Sequence, residues 1–160
     1  MDETDIRKFT LADRDWLVAT HGALYGESEG FDESFEPLVA GIIDDFIADH
    51  DPVREAGWVA WRGKVRLGCI FCVKLNEKTA KLRLFLLIPQ ARGQRLGLRL
   101  LETCMGFARE QGYEGMQLWT HESHRAAGAL YARNGWILTQ SNPVVSFGQS
   151  LVEQTWVVRF

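Results

Sequence analysis

The fold of this chain is decided by the stretch LFLLIPQARGQRLGLRLL, residues 84–101. An apolar run ends at Pro89 and an amphipathic segment opens near Gln94, which predicts a strand, a tight turn and a helix. The first N–H groups of a helix have no partner inside it and carry partial positive charge, so this helix start is a ready anion site. Gly93 and Gly97 lack Cβ atoms and would let a phosphate approach the backbone.

Three arginines add full positive charges to this predicted anion site. They are Arg92, Arg95 and Arg99, and the last two share one helical face. A plain strand–loop–helix packing unit, in which Gly97 only eases helix packing, explains the same residues. The stretch lacks the Gly-Lys-Ser/Thr of a Walker loop and the three glycines of the dinucleotide fingerprint, so neither common nucleotide loop is present.

Two segments resemble motifs of the GNAT superfamily of acetyl-CoA-dependent N-acyltransferases. Residues 92–97, RGQRLG, resemble its Arg/Gln-x-x-Gly-x-Gly/Ala signature, except that Arg95 stands where the family usually has its first glycine. Residues 129–136, ALYARNGW, resemble its A-L-Y-x-x-x-G-F segment. Further likeness, to a subgroup often fused behind a MarR-type DNA-binding domain, lies in residues 21–25, 80–84, 118–120, 146–148 and 154–156.

Length and composition favour one globular domain over residues 1–160. The chain has 160 residues, of which 46% are hydrophobic, and this suits a full core. A net charge of −3 gives no basic excess for binding nucleic acid. No apolar run approaches the roughly 20 residues that cross a membrane, and the N-terminus MDETDIRKF is unlike a signal peptide. We therefore expect a cytoplasmic protein with no nucleic-acid or membrane partner.

The three cysteines are predicted to be reduced core residues. Cys69 and Cys72 form a C-x-x-C, but they fall in a strand-like run, where residues three apart point to opposite faces and cannot chelate together. Cys104 lies on the apolar stripe of a helix.

The hydrophobic periodicity predicts an α+β domain in the order β-α-α-β-β-β-α-β-α-β-β. A capping box at residues 10–13 opens the first helix. Predicted helices cover 11–26, 94–111 and 123–133, and predicted strands cover 5–10, 58–61, 65–75, 79–88, 114–120, 136–139 and 154–160. A further predicted helix is capped by Asp32 or Ser34, has its apolar pattern over residues 35–47, and is ended by Asp51-Pro52. A loop holding Asn142-Pro143 and Phe147-Gly148 joins the last two strands. The resemblance implies a single GNAT-like domain with a mixed, mostly antiparallel sheet of about seven strands and helices on both faces.

The resemblance implies acetyl-CoA as the acetyl donor, and it places the contacts of that cofactor. The pantetheine arm would lie along the strand before the turn like an added strand, and the diphosphate would lie at the helix start. His124 stands where the family often has an Asn, seven residues before its tyrosine. The predicted cofactor-binding residues are Leu86, Leu87, Ile88, Arg92, Gly93, Gln94, Arg95, Leu96, Gly97, Leu98, Arg99 and His124.

Tyr131 is the predicted catalytic acid. A phenol with a pKa near roughly 10 is protonated at neutral pH and can donate its proton to a forming thiolate. The matching tyrosine of the family is commonly given this role. The alternative is an amphipathic tyrosine at a helix end, half in the core and half in water.

The general base and the acceptor site are less defined by the sequence. No carboxylate occurs in residues 79–88, where several GNAT enzymes place one. Deprotonation through water, or by Glu122, His21, Tyr25 or Glu29, stays open. The predicted acceptor-site residues are His21, Tyr25, Glu29, Trp119 and Glu122. The run His121-Glu122-Ser123-His124 falls below the ligand count of a closed zinc site, so no metal is predicted.

The sequence is therefore interpreted as an N-acetyltransferase that moves an acetyl group from acetyl-CoA to a primary amine by direct attack in a ternary complex. The acceptor is a small molecule or a peptide amine. The alternatives are a protein lysine or N-terminal acetyltransferase, and a non-catalytic acyl-CoA-binding regulatory module. Because homodimers are common in the family, the resemblance also implies a homodimer.

Overall fold

The computed structural model describes residues 3–160. Its strands are β1 (Thr4–Lys8), β2 (Ala56–Arg62), β3 (Val65–Lys74), β4 (Thr79–Leu87), β5 (Gly115–His121), β6 (Ile137–Ser146) and β7 (Gln149–Arg159). Its helices are α1 (Arg14–Glu29), α2 (Phe35–Asp49), α3 (Leu96–Glu110) and α4 (Arg125–Arg133). The strands form one sheet in the order β1-β2-β3-β4-β5-β7-β6, antiparallel except for the β4–β5 pair. The predicted α+β class, element order and mixed sheet of seven strands are confirmed.

Helices cover both faces of this sheet, as predicted. On one face α1 and α2 bury Leu17 and Ile43 against β3 and β4. On the other face α3 and α4 bury Leu100. Cys69 belongs to the first core and Cys72 to the second, because side chains three apart on a strand point to opposite faces. Both thiols, like that of Cys104, are buried and free, as predicted.

The parallel pair β4–β5 is hydrogen-bonded only at its start and then opens into a cleft. Residues 79–81 pair with residues 115–117, and no pairing between the two strands continues beyond them. Leu84 has a φ of 52°, and the β3–β4 register shifts between Cys69 and Phe71. An irregularity of this kind bends a strand. The resulting cleft lies between residues 82–87 and 118–121.

The connection between β6 and β7 differs from the prediction. Residues 140–153 were predicted to form a loop, but they belong to β6 and β7, which are joined by a two-residue turn. The turn consists of Phe147 and Gly148, with φ values of 55° and 76°. Positive φ at both central residues suits the right-handed twist of a hairpin. Pro143 lies inside β6, which is the outermost strand of the sheet. An edge strand tolerates a residue without an N–H, so this proline does not break the strand.

The start of α1 is closed by the chain's own polar groups. A short 3-10 turn, Leu11–Asp13, precedes the helix, and the predicted capping box is present. The Asp13 carboxylate accepts hydrogen bonds from the Thr10 N–H at 2.8 Å and from Arg66 Nε at 2.8 Å, although the residue is only 2% exposed. Within residues 3–160, no helix is long and apolar enough to cross a membrane.

Candidate active site

The start of α3 leaves a row of backbone donors without acceptors. The first backbone bond of its opening turn runs from the Arg99 N–H to the Arg95 carbonyl, at 3.1 Å. Among the residues that the structure describes, none of the N–H groups of residues 93–98 donates a hydrogen bond. The first turn also carries no acidic residue. These N–H groups and the positive end of the helix dipole form a cradle for an anion.

The conformation of Arg95 explains the glycine that usually occupies this position in the resembling signature. Arg95 caps α3 with a φ of 59°, and Gly93 has a φ of 79°. A left-handed conformation costs an L-residue about 1–2 kcal/mol, whereas glycine adopts it freely. The chain therefore keeps the loop geometry of the signature with a residue for which that geometry is strained.

Gly97 is not required by the packing of α3. A Cβ atom there would lie 3.6 Å from the Leu130 side chain and 3.8 Å from the Phe85 ring, which are ordinary contacts. Among the neighbouring polar side chains, Gln94 accepts a hydrogen bond from Arg62, and Arg99 donates to the Thr4 carbonyl at 3.1 Å. Arg92 and Arg95 stay exposed beside the cradle.

The end of β4 presents one residue's backbone to the cleft. The Ile88 N–H donates to the Leu67 carbonyl at 2.9 Å, and Leu87 lies opposite Gly68. Because backbone groups alternate in direction along an antiparallel strand, Leu87 directs its N–H and C=O away from β3. Leu86 buries its side chain in the core under α1. Of the three strand residues predicted to hold a ligand, Leu87 has the backbone groups that face the cleft.

Tyr131 lies in the last turn of α4 with its ring in an aromatic environment. The residue is 3% exposed, and its ring centroid lies 5.6 Å from that of Trp136, 6.1 Å from that of Trp156 and 6.3 Å from that of Phe85. Burial, with smaller contributions from Tyr25 and Cys104, raises the pKa of Tyr131 above its ordinary value. The phenol is therefore protonated at neutral pH.

Three predicted site residues, Tyr25, Glu29 and His124, meet where the last turns of α1 approach the start of α4. The Tyr25 ring stacks on the His124 ring at 5.1 Å, and His124 Nε2 lies 3.4 Å from the Glu29 carboxylate. The other ring nitrogen of His124 lies 3.1 Å from Thr120 Oγ1. Burial lowers the pKa of His124, the Glu29 charge opposes that shift, and His121 adds to it. No three metal-ligating side chains within residues 3–160 are placed to hold an ion.

The remaining predicted acceptor residues lie outside this group. His21 is 2% exposed, its Nδ1 lies 2.8 Å from the Leu17 carbonyl, and its Nε2 has no hydrogen-bond partner among residues 3–160. Burial lowers the pKa of His21 to about 4, so the ring is neutral at neutral pH. Trp119 is 40% exposed under Lys81, whose Nζ lies 4.3 Å from the ring centre. Glu122 is exposed, and among the described residues no side-chain contact joins it to the group.

An aromatic cluster beside this group was missed by the sequence analysis. It consists of Tyr25, Phe31, Phe35 and Phe147, and the Phe147 ring lies 4.9 Å from each of the other two phenylalanine rings. The Asp32 N–H donates to the Phe147 carbonyl at 2.9 Å, which ties the β6–β7 hairpin to the loop between α1 and α2. The sequence signal was a phenylalanine beside a glycine at residues 147–148, which was interpreted only as a loop.

The sequence of residues 14–136 matches the family model described as the acetyltransferase (GNAT) family. The chain belongs to this family. None of the curated proteins matches the sequence. The subgroup that is fused to MarR-type regulators stays a prediction.

Several solved structures share this fold. A GNAT-family acetyltransferase from Staphylococcus aureus Mu50 superposes with a TM-score of 0.80 and 15% identity, over 98% of this chain and 99% of that chain. The ribosomal-protein-alanine N-acetyltransferase of Brucella melitensis superposes with a TM-score of 0.78 and 18% identity, over 98% of this chain and 99% of that chain. The yncA protein of Salmonella typhimurium, solved with its cofactor acetyl-CoA, superposes with a TM-score of 0.73 and 18% identity, over 98% of this chain and 93% of that chain. At these identities the likeness shows the fold alone.

Proposed function

We propose that the protein is an N-acetyltransferase that moves an acetyl group from acetyl-CoA to a primary amine by direct attack in a ternary complex. The observation that carries this proposal is the row of six N–H groups, residues 93–98, that have no acceptor among the described residues and that follow β4 at its end unpaired with β5. A diphosphate supplies acceptors for several such groups at once. The membership of the chain in an acetyltransferase family supports the same ligand.

The residues around the cleft fit acetyl-CoA, which would supply an activated acetyl group as its thioester. The N–H groups of residues 93–98 would hold the diphosphate, and the exposed Arg92 and Arg95 would add charge. The Leu87 backbone would pair with the pantetheine arm as a neighbouring strand does. The presence of acetyl-CoA in the structure of the Salmonella protein, which shares this fold, supports acetyl-CoA as the ligand.

Tyr131 is proposed as the acid that protonates the departing sulfur. Its raised pKa keeps the proton on the phenol until negative charge develops beside it. The ring is held by Phe85, Trp136 and Trp156, so the hydroxyl has a fixed direction. A held donor of this kind stabilises developing charge without reorganising.

The contacts at the far end of the cleft support a small cationic amine as the acceptor. Glu29 supplies negative charge beside His124, and the Glu153 charge acts on the neighbouring His121. The β6–β7 hairpin is tied to the α1–α2 loop by the Asp32–Phe147 backbone bond and by a 2.9 Å bond from Gln149 to the Gly30 carbonyl. A protein lysine or N-terminal acetyltransferase needs an open groove at this point, so the tied hairpin argues for a smaller substrate.

Calorimetry with acetyl-CoA, followed by thiol release with a panel of amines, tests the proposal. The panel contains spermidine, tyramine, lysine amide and a short peptide with a free N-terminal alanine. We expect binding, and acetylation of at least one small amine. Binding without turnover over the panel would favour a regulatory acyl-CoA-binding module, and acetylation of the peptide alone would favour a protein N-terminal acetyltransferase.

The Tyr131→Phe variant tests the assigned acid. The substitution keeps the ring packing, so we expect a lower kcat with little change in acetyl-CoA affinity. The matched control is Tyr113→Phe, because Tyr113 is also buried but donates its hydroxyl to the Arg54 carbonyl, away from the cleft. An unchanged kcat for Tyr131→Phe would remove Tyr131 from the mechanism.

A further inference from the structure

A hydroxyl, an imidazole and a carboxylate follow one another along the β5 side of the cleft. Thr120 Oγ1 lies 3.1 Å from His124 Nδ1, and His124 Nε2 lies 3.4 Å from Glu29 Oε1. The three residues come from the end of β5, the residue that caps α4, and the last turn of α1. Thr120 and His124 are four residues apart, whereas Glu29 is distant in sequence and is brought to His124 by the fold.

The donor and acceptor groups of Thr120, His124 and Glu29 determine which of them donates each hydrogen. A carboxylate only accepts hydrogen bonds, so Glu29 favours the ring tautomer in which Nε2 carries the hydrogen. Nδ1 is then unprotonated and accepts the hydrogen of the Thr120 hydroxyl. Nε2 is buried and makes no hydrogen bond within the described residues, and Glu29 Oε1, at 3.4 Å, is the carboxylate oxygen placed to accept its hydrogen. The Thr120 oxygen is thus left with its lone pairs free to accept a proton from a third group.

We propose that Thr120, His124 and Glu29 form a proton relay that takes the proton from the acceptor amine during acetyl transfer. This inference rests on the proposed function, which assigns an acid but no general base, and it supplies that base. In the relay Thr120 is the catalytic residue that touches the amine. His124 receives the proton of Thr120, and Glu29 is a positioning residue that stabilises the charged ring.

The Thr120 end of the relay lies on the part of β5 that is not paired with β4. Thr120 lies beyond Gln117, the last residue of β5 that pairs with β4, so it borders the open part of the cleft. The ring of Tyr25 stacks on the ring of His124, with 5.1 Å between the ring centroids. Tyr25 therefore supports one face of the His124 ring.

The proton and electron changes of the step balance. The amine nitrogen bonds to the acetyl carbon and the carbon–sulfur bond breaks with its electron pair on sulfur. The amine proton moves to Thr120 Oγ1 while the Thr120 proton moves to His124 Nδ1, and Glu29 faces the resulting imidazolium. The sulfur takes the Tyr131 proton. The imidazolium then releases one proton to solvent and the phenolate takes one up, which restores both groups.

The charged and titratable groups around His124 agree with this role. Glu29 and Tyr25 face it from α1, and His121 faces it from β5. Glu153, on β7, acts on His121. Because burial and His121 lower the pKa of His124, the ring is neutral at neutral pH and free to accept a proton. Glu29 opposes this shift, so its removal moves the pKa of His124 further down.

The first test measures kcat, the KM for acetyl-CoA and pH profiles with the best amine of the panel above. We expect Thr120→Val to lower kcat by about 100-fold with an unchanged KM for acetyl-CoA, and Thr120→Ser to restore most of the loss. We expect Glu29→Gln to move the acid limb of the kcat/KM profile to lower pH. Glu110→Gln, at an exposed position in the last turn of α3, is the matched control and should leave the profile in place.

The second test needs no acceptor. The side-chain NMR spectrum of isotope-labelled histidines should show His124 neutral, with its hydrogen on Nε2. A hydrogen on Nδ1, a wild-type kcat in Thr120→Val, or an unmoved acid limb in Glu29→Gln would each overturn the relay. If acetyl-CoA binds and no amine is acetylated, the proposed function fails and the relay fails with it, whereas persistent turnover in Thr120→Val removes the relay alone.

Discussion

The N-terminal ends of α1 and α3 differ in whether the chain supplies hydrogen-bond acceptors for their first backbone N–H groups. Each leaves backbone N–H groups without partners inside the helix. At the start of α1, the preceding 3-10 turn supplies the acceptors, because the Asp13 N–H donates to the Thr10 carbonyl and the Arg14 N–H to the Leu11 carbonyl. The buried Asp13 carboxylate holds this turn by accepting from the Thr10 N–H and the Arg66 guanidinium, so the chain closes that end itself. At the start of α3, residues 93–98 have no acceptor among the described residues, no acidic side chain, and a strained residue, Arg95, at the cap.

The difference separates a structural helix start from one that is ready for a ligand. Where the chain provides its own acceptors, substitution should affect folding and leave binding alone. Where it provides none, substitution should affect binding and can improve folding. Backbone N–H groups that the fold leaves without acceptors therefore mark a binding site. The test is whether substitutions at the start of α1 lower stability alone, while substitutions at the start of α3 change ligand affinity.

The largest effect is expected at the closed end, from Asp13→Ala. The substitution leaves the Arg66 guanidinium and the Thr10 N–H without their acceptor, so the free energy of unfolding should fall by about 3 kcal/mol. Urea denaturation measures this loss, and calorimetry should show unchanged affinity for coenzyme A. Asp49→Ala, at an exposed position in the last turn of α2, is the control. A loss below about 1 kcal/mol would mean that the cap is not structural.

The next effect is expected at the open end, from Gln94→Asp. A carboxylate beside the free N–H groups supplies the acceptor that they lack, so it should compete with the phosphates and weaken coenzyme A binding about tenfold. The same charge should raise the free energy of unfolding by about 0.5 kcal/mol. Gln94→Asn, which adds no charge, separates charge from the loss of the hydrogen bond with Arg62. Equal affinities of the two variants would place the diphosphate elsewhere.

A smaller effect should appear at the left-handed cap of α3. Because glycine adopts a φ of 59° without strain, Arg95→Gly should be more stable than Arg95→Ala by about 1 kcal/mol. Both variants lose the same charge, so the comparison isolates the backbone. Thermal denaturation of the pair measures the difference. Equal stabilities would show that this residue is not strained in the folded protein.

The smallest effect is expected from Gly97→Ala. A Cβ atom there meets Leu130 and Phe85 at ordinary contact distances, and alanine is the better helix former. The free energy of unfolding should therefore rise by about 0.5 kcal/mol. Gly57→Ala provides the contrast, since a Cβ at that position would lie 2.3 Å from the Phe71 ring. A destabilised Gly97→Ala variant would support the alternative in which this glycine is kept for helix packing.

The sequence predicted those features whose signals are local. The capping box of Thr10 and Asp13 lies within one turn, and the opposite faces of Cys69 and Cys72 follow from strand geometry. The strand, turn and helix of residues 84–101 also carry their pattern in one window. Each of these three features was predicted from residues that lie close together in the sequence.

The features that the sequence did not predict depend on contacts between distant segments. The line from Thr120 through His124 to Glu29 joins three elements, and the sequence analysis placed His124 with the cofactor and did not consider Thr120. The aromatic cluster needs the β6–β7 hairpin to reach the α1–α2 loop. Pro143 was interpreted as part of a loop because a single sequence does not show which strand lies at the edge of the sheet.

The most direct test of the central claim is a backbone amide NMR titration with coenzyme A. The account predicts that the largest changes in chemical shift fall on residues 93–98, whose N–H groups gain phosphate acceptors, and that the amides of residues 10–13 stay where they are. Saturable changes confined to another part of the chain, or no change at all, would contradict the claim that the open start of α3 is the cofactor site.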